Sequence, residues 1–212
     1  MDKKNLILLG GGGHCKSVID VAESAGYHIL GVLDMPENVG TSVLDYKVIG
    51  TDDDIPLYVD KAEFIITVGF IKDPRVRMKL YNGIKEIGGK LATIVASTAH
   101  VSNYASLGEG TVVMHQAIVN AGAVVGANCI INTFCNIEHD AVIGDQCHIS
   151  TGTMVNGDCK VGKMCFIGSQ SVLANGISIC DDVVVGAGSL VRKNILKPGI
   201  YSGNPATLKI KK

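Results

Sequence analysis

From Val95 to Val191 every sixth residue is Val, Ile or Leu, through 17 consecutive positions with no insertion to break the phase. Four positions after each comes Ala, Ser, Thr or Cys in 14 of the 17 cases; Ile177, Val183 and Ile195 are the exceptions. A period of six matches neither an amphipathic helix nor one long alternating strand. It fits short strands separated by tight corners. Each aliphatic residue stacks on its equivalents inside a coil, and the small residue falls where the chain turns and space is scarce.

The same phase explains the cysteines. Cys129, Cys135, Cys147, Cys159 and Cys165 are separated by multiples of six, not by the two-residue gaps of zinc knuckles. They are expected to be buried, reduced structural residues rather than metal ligands or redox groups. The net charge of -1, with acids and bases interspersed, argues against a nucleic-acid partner. The apolar run at the start extends only from Leu6 to Leu9 before four glycines, so it reads as a strand rather than a signal peptide. No uninterrupted apolar stretch approaches the roughly 18 residues of a membrane span. The expected location is therefore cytoplasmic.

Ahead of the repeat, Asn5 to Leu9 reads as a buried parallel strand, followed by Gly10 to Gly13, a helical stretch from Cys15 to Ala25 closed by Gly26, and a strand from His28 to Leu33. This is a βαβ opening. Phe64 to Val68 is expected to form a third strand, Asp73 to Ile87 a helix, and Lys90 to Ile94 a strand leading into the repeat; the polar stretch around Asp52, Asp53 and Asp54 reads as a solvated loop or helix start. A glycine-rich turn at a helix N-terminus lets main-chain N–H groups approach phosphate oxygens, which suggests a nucleotide. A dinucleotide fingerprint would need glycine where Cys15 stands.

The hexad pattern resembles the hexapeptide-repeat transferases. The resemblance implies a triangular left-handed parallel β-helix with three hexads per coil, an exception to the right-handed crossover rule. The fold class expected is thus α/β, Rossmann-like, over residues 1–94, then an all-β left-handed β-helix over 95–196 and a tail over 197–212. That tail, from Tyr201 to Thr207, resembles the Gly-x-Pro-Ala segment that lies near CoA in these families. Lys209, Lys211 and Lys212 read as a solvated end.

The opening GlyGlyGlyGlyHisCysLys followed by ValIleAsp is similar to the sialic-acid O-acyltransferase family, which includes N-acetyltransferases of UDP-4-amino-4,6-dideoxy sugars in bacillosamine-type pathways. By that resemblance Gly12, Gly13, His14 and Lys16 meet the diphosphate of a UDP-linked sugar, and Asp34 meets the uridine. Arg77 matches an arginine after the third strand without an assigned role. The segment Ile137-Glu138-His139-Asp140 resembles the family stretch whose histidine is the catalytic base, with Asp140 in place of the usual glutamate and Glu138 as a second carboxylate. The same match puts His148, Gly157, Ser169 and Ala187 along acetyl-CoA and Asn132 near the acceptor sugar. It implies a homotrimer with sites between adjacent β-helices. His115 is expected to be a solvated corner.

A zinc hydratase built on such a coil needs three histidines around the metal, two of them five residues apart. His139 and His148 are nine apart, so no metal is expected. The activity implied is acetyl transfer from acetyl-CoA to the amino group of a nucleotide-linked amino-deoxy sugar for surface glycans. O-acetylation of a sialic acid or another sugar hydroxyl is the enzymatic alternative, and a non-catalytic β-helix scaffold the alternative of another class.

Overall fold

The computed structural model describes residues 4–211; residues 1–3 and Lys212, the last of the terminal lysines, lie outside the described residues. The first apolar run forms β1 (Asn5–Leu9), in which Leu6, Ile7, Leu8 and Leu9 are all completely buried. Burial on both faces is what a continuous apolar run in a parallel sheet requires. Then follow α1 (Gly13–Ser24), β2 (His28–Leu33), β3 (Ser42–Val43), β4 (Tyr46–Gly50), β5 (Glu63–Ile66) and α2 (Arg75–Glu86). The sheet order is β3-β4-β2-β1-β5, with only β3 antiparallel to its neighbour.

Several expectations change here. The first helix begins at Gly13 rather than Cys15, because Gly12 supplies an extended N-cap. The third strand stops at Ile66, since the Thr67 hydroxyl turns to the Leu9 carbonyl at 2.8 Å. The second helix begins at Arg75, whose N–H donates to Asp73 Oδ1 at 3.0 Å, and it ends at Glu86. No strand runs from Lys90 to Ile94. Leu91 makes only an isolated bridge with Phe64, and Ile94 already belongs to the coil. The aspartates at 52–54 open a 3-10 turn (Asp52–Tyr58), where Asp54 Oδ2 accepts from the Thr51 N–H. The β3–β4 hairpin was not anticipated from its short, half-polar strands.

The hexads fold into a left-handed parallel β-helix with three faces. Partner strands are offset by 18 residues, three hexads, as in Ile118 with Asn136 and Val119 with Ile137. The first face carries Ile130–Ile131, His148–Ile149 and Phe166–Ile167; the second, Asn136–Ile137 and Met154–Val155; the third, Val142–Ile143 and Lys160–Val161. In each pair the second residue is the hexad aliphatic and enters the core. Beyond the hexads, Gly199–Ser202 adds a further parallel strand to the first face, and Thr207–Lys211 returns antiparallel beside it.

The small slot does more than fit a corner. From Thr111 to Ser171, where it is polar it donates to a carbonyl 15 residues ahead: Thr111 to Gly126 at 2.8 Å, Cys135 to Ser150 at 3.0 Å, Cys147 to Gly162 at 3.0 Å and Ser171 to Gly186 at 3.0 Å. These bonds give partners to main-chain carbonyls at the corners, among them those of Gly126 and Gly162. Burial pushes the Cys135 thiol up to about 12, so these cysteines are inert donors. Among the described residues no group of His, Cys, Asp or Glu could hold a metal ion.

One more rule governs the corners. From Gly110 to Gly188 the residue three after each aliphatic adopts a left-handed backbone, at Gly122 (φ 77°), Asn128 (51°), Phe134 (60°), Asp140 (59°) and Asp158 (59°) among others. Glycine, asparagine and aspartate tolerate this conformation, whereas Phe134 is an outlier.

The α/β region is fastened to the first face. Val112 and Ile130, which point out of the coil, are completely buried against the cluster of Leu6, Leu8, Val18 and Ile19. Polar contacts rim this seam. Lys85 and Tyr81 of α2 bind the Glu109 carboxylate at 2.9 and 2.7 Å. His115, expected at a solvated corner, is instead part of the seam, with Nε2 3.0 Å from Asp20 Oδ2 on α1 and Nδ1 2.8 Å from the Thr98 hydroxyl.

Candidate active site

The candidate residues fall on two different edges of the prism. The corner between the second and third faces carries His139, with its side chain 63% exposed, beside Asp140 at 68%. His139 Nδ1 lies 3.0 Å from Asp140 Oδ2. That hydrogen bond leads the causes that raise the histidine above its ordinary value. With Nδ1–H donated to the carboxylate, Nε2 is the free acceptor nitrogen. One coil further on, Gly157 is packed beneath the ring: a Cβ there would lie 2.6 Å from Nε2. Glu138 does not contact His139 in the manner of Asp140. Its two oxygens accept from Asn136 at 2.8 Å and Asn120 at 3.0 Å, and the Asn136 bond leads the causes that hold it below the usual carboxylate range.

The other edge joins the first and second faces and carries Asn132, Ser169 and Ala187. His148, on the adjoining first-face strand, is buried with Nδ1 2.9 Å from the Phe70 carbonyl and Nε2 3.2 Å from Asn132 Nδ2. A carbonyl can only accept, so Nδ1 carries the proton and Nε2 receives the amide N–H. Phe166 and Phe70 meet the ring edge-on, with centroids 5.1 and 5.8 Å away. Burial drives this histidine down to about 4, so it is neutral at physiological pH. The Ser169 hydroxyl lies 2.8 Å from that of Ser150, on the neighbouring coil.

The glycine-rich turn approaches this second group. His14, in the first turn of α1, has its ring centroid 6.4 Å from that of His148. Burial, then the charge of Arg77, lowers its pKa to about 3, and its Nε2 is a buried nitrogen without a partner. Gly12 and Gly13 face open space, and Lys16 is exposed one turn into the helix. Asp34 ends β2 and accepts from Asn38 at 2.8 Å; a Cβ on Gly11 would lie 2.7 Å from its Oδ2, so the turn needs glycine there too. The fold therefore brings His14, His148 and Asn132 together and leaves His139, Asp140 and Gly157 across the second face. Phe70 and Phe166, which frame His148, carried no sequence signal beyond their aromatic character.

Residues 5–84 match the PglD N-terminal domain, and residues 122–157 and 158–193 match the bacterial transferase hexapeptide family. Perosamine N-acetyltransferase (PerB) from Caulobacter crescentus, solved in complex with CoA and GDP-perosamine, is 29% identical over 97% of each chain with a TM-score of 0.90. The acetyltransferase domain of PglB from Neisseria gonorrhoeae is 28% identical over 98% of this chain and 100% of that one, also at 0.90.

The chain is an acyltransferase. WeeI from Acinetobacter baumannii, 19% identical with a TM-score of 0.70, shares the fold. Among the described residues of the acyltransferase, no helix is long and apolar enough to cross a membrane.

Proposed function

We propose that the acyltransferase moves an acetyl group from acetyl-CoA to the amino group of a nucleotide-linked amino-deoxy sugar, with His139 as general base. The whole-length likeness to an N-acetyltransferase bound to CoA and GDP-perosamine is the observation that carries this reading. The site supports it chemically. A sugar amine near neutral pH is largely protonated, and only the neutral form, its ammonium proton already lost to solvent, can attack. His139 Nε2, exposed and free, accepts the further proton that the nitrogen sheds as the C–N bond to the thioester carbon forms. Asp140 stabilises the resulting imidazolium. The Gly157 main-chain N–H, between two amides bonded to the Leu173 and His139 carbonyls, takes the charge on the carbonyl oxygen. Collapse breaks the C–S bond, and the imidazolium proton passes to the departing thiolate, giving the amide and free CoA.

Acetyl-CoA is assigned to the edge of Ser169 and Ala187, with its thioester end towards His148, and the acceptor sugar to Asn132. At the end of the coil an open cleft of about 230 Å³, lined by Arg192, Lys193, Tyr201 and Pro205, offers positive charge suited to phosphate. Gly12, Gly13, His14 and Lys16 are assigned to the sugar nucleotide's diphosphate and Asp34 to its nucleoside. Since the two edges lie apart in one chain, a complete site needs the His139 edge of one copy beside the His148 edge of another. A homotrimer satisfies this, and the exposed apolar residues Ile118, Phe134, Val142 and Met154 flanking these edges suit such contacts.

The test is thiol release from acetyl-CoA with a panel of UDP- and GDP-linked amino sugars and free sialic acid. A nucleotide-linked amino sugar is expected to drive release. Release with sialic acid alone, or with no acceptor on the panel, overturns the proposal.

A further inference from the structure

Arg77 is completely buried, on the same face of α2 as Leu80 and Ile84. An apolar residue is what that face calls for. Its guanidinium bonds instead to four carbonyl-type oxygens: Nη1 to Ile66 O and Val68 O, both at 2.7 Å, and Nη2 to Asn128 O at 3.1 Å and Asn128 Oδ1 at 2.6 Å. A buried charge is costly, and a well-packed apolar side chain of similar volume often serves stability as well or better. Only a rigid planar fork can tie two places on one loop to a corner of the coil at fixed spacing.

The tied loop reaches both halves of the site. Near one end Thr67 bonds to the Leu9 carbonyl, and Val68 packs where a Cβ on Gly10 would lie, 2.5 Å from its methyl. At the other end the Phe70 carbonyl accepts from His148 Nδ1.

We infer that Arg77 is a positioning residue for acyl transfer: it clamps the segment from Ile66 to Phe70 against the coil, so that the Phe70 carbonyl fixes His148 with Nε2 turned to Asn132. The inference rests on the proposed placing of His148 at the acyl-transfer site. The cation has a second effect in the same direction. Its charge adds to burial in keeping His14 and His148 neutral. Arg77 itself is brought down only to about 10 by burial, so it is charged at physiological pH.

The experiment pairs ring ¹⁵N spectra of His148, assigned against His148→Gln, with steady-state kinetics on acetyl-CoA and the UDP- or GDP-linked amino sugar. Arg77→Met keeps volume and removes the fork. Asn128→Gly is the milder variant: glycine accepts the left-handed corner (φ 51°) and keeps the main-chain carbonyl, losing one of the four bonds. For Arg77→Met, the expected result is a shift of His148 away from the single Nδ1–H form and a kcat lower by roughly 10- to 100-fold with KM values near those of the parent, as for a misplaced site group. Asn128→Gly is expected to move both readouts the same way by less. Should Arg77→Met fail to fold, Asn128→Gly decides. An unchanged His148 spectrum in a folded variant overturns the inference whatever the turnover. A changed spectrum with turnover intact, in a protein where His148→Gln is also active, removes His148 from the acyl-transfer site and Arg77 from catalysis with it.

Discussion

His139 and His148 stand half a coil apart, and the fold gives them opposite chemistry. His139 is at an exposed corner with Asp140 on Nδ1, its pKa raised by that bond. His148 is walled in by Phe70 and Phe166 and lowered to about 4. A residue that must take and return a proton near neutral pH has to titrate there, which only the exposed ring can do. A residue that must present one fixed lone pair or N–H is better kept neutral and immobile. The same imidazole is thus suited to be base or fixture according to whether it stands at an open corner or on a strand walled in by aromatic rings.

The largest effect expected from this contrast is at the base. His139→Ala is predicted to lower kcat by about 10²- to 10⁴-fold, the usual contribution of a general base, with acetyl-CoA affinity retained. Thiol-release kinetics and CoA titration check both halves; an active variant would move the base elsewhere. Gly157→Ala comes next. The Gly157 backbone is not left-handed, so alanine is tolerated conformationally, but its methyl would enter the space of His139 Nε2. Displacement of the ring is expected to cost up to about 100-fold in kcat while thermal stability stays near that of the parent. If both are unchanged, the ring is mobile enough that its observed seat does not matter.

Lys16→Ala probes the other side of the comparison. An exposed lysine in the first turn of α1 is expected to serve only the phosphates, so its loss should raise KM for the nucleotide sugar by roughly 10-fold, the worth of one charge-assisted bond, and spare KM for acetyl-CoA. An increase in the acetyl-CoA KM instead would break the division of labour between the two regions.

How far these features were legible depends on how local they are. The coil was readable because a six-residue period is written in every hexad, and the five cysteines could be read as core by phase alone. The left-handed corner slot was partly written in Gly122, Asn128, Asp140 and Asp158, but Phe134 and Met164 occupy it as well and hide the rule. The β1–α1–β2 opening was readable from an apolar run, glycines and a second run. Arg77 was not: its bonds to Asn128 join residues 51 apart, and the helix face it occupies looks apolar. Nor was His115, whose partner Asp20 reaches it only because α1 packs on the first face. Nor does the apolar run from Lys90 to Ile94 show where the sheet gives way to the coil, whose first strand takes Ile94 and Val95.

The smallest effect expected, and the most discriminating about mechanism, is that of Asp140→Asn. Asparagine tolerates the left-handed corner (φ 59°), so the fold should survive. The sign follows from the partner's charge. Asp140 stabilises imidazolium and so raises the pKa of His139; protonated His139 cannot serve as the proposed base, and the rate of the parent enzyme is expected to rise with pH as that proton leaves. Without the carboxylate the pKa falls, and the acidic limb of the kcat profile moves to lower pH. The plateau should drop only a few-fold, because the pair is exposed and water screens it. A limb that stays in place would show that Asp140 does not set the titration of the base. A collapse of the plateau as large as that of His139→Ala would instead assign the carboxylate chiefly to holding the tautomer, with the free lone pair at Nε2 lost when an amide replaces it.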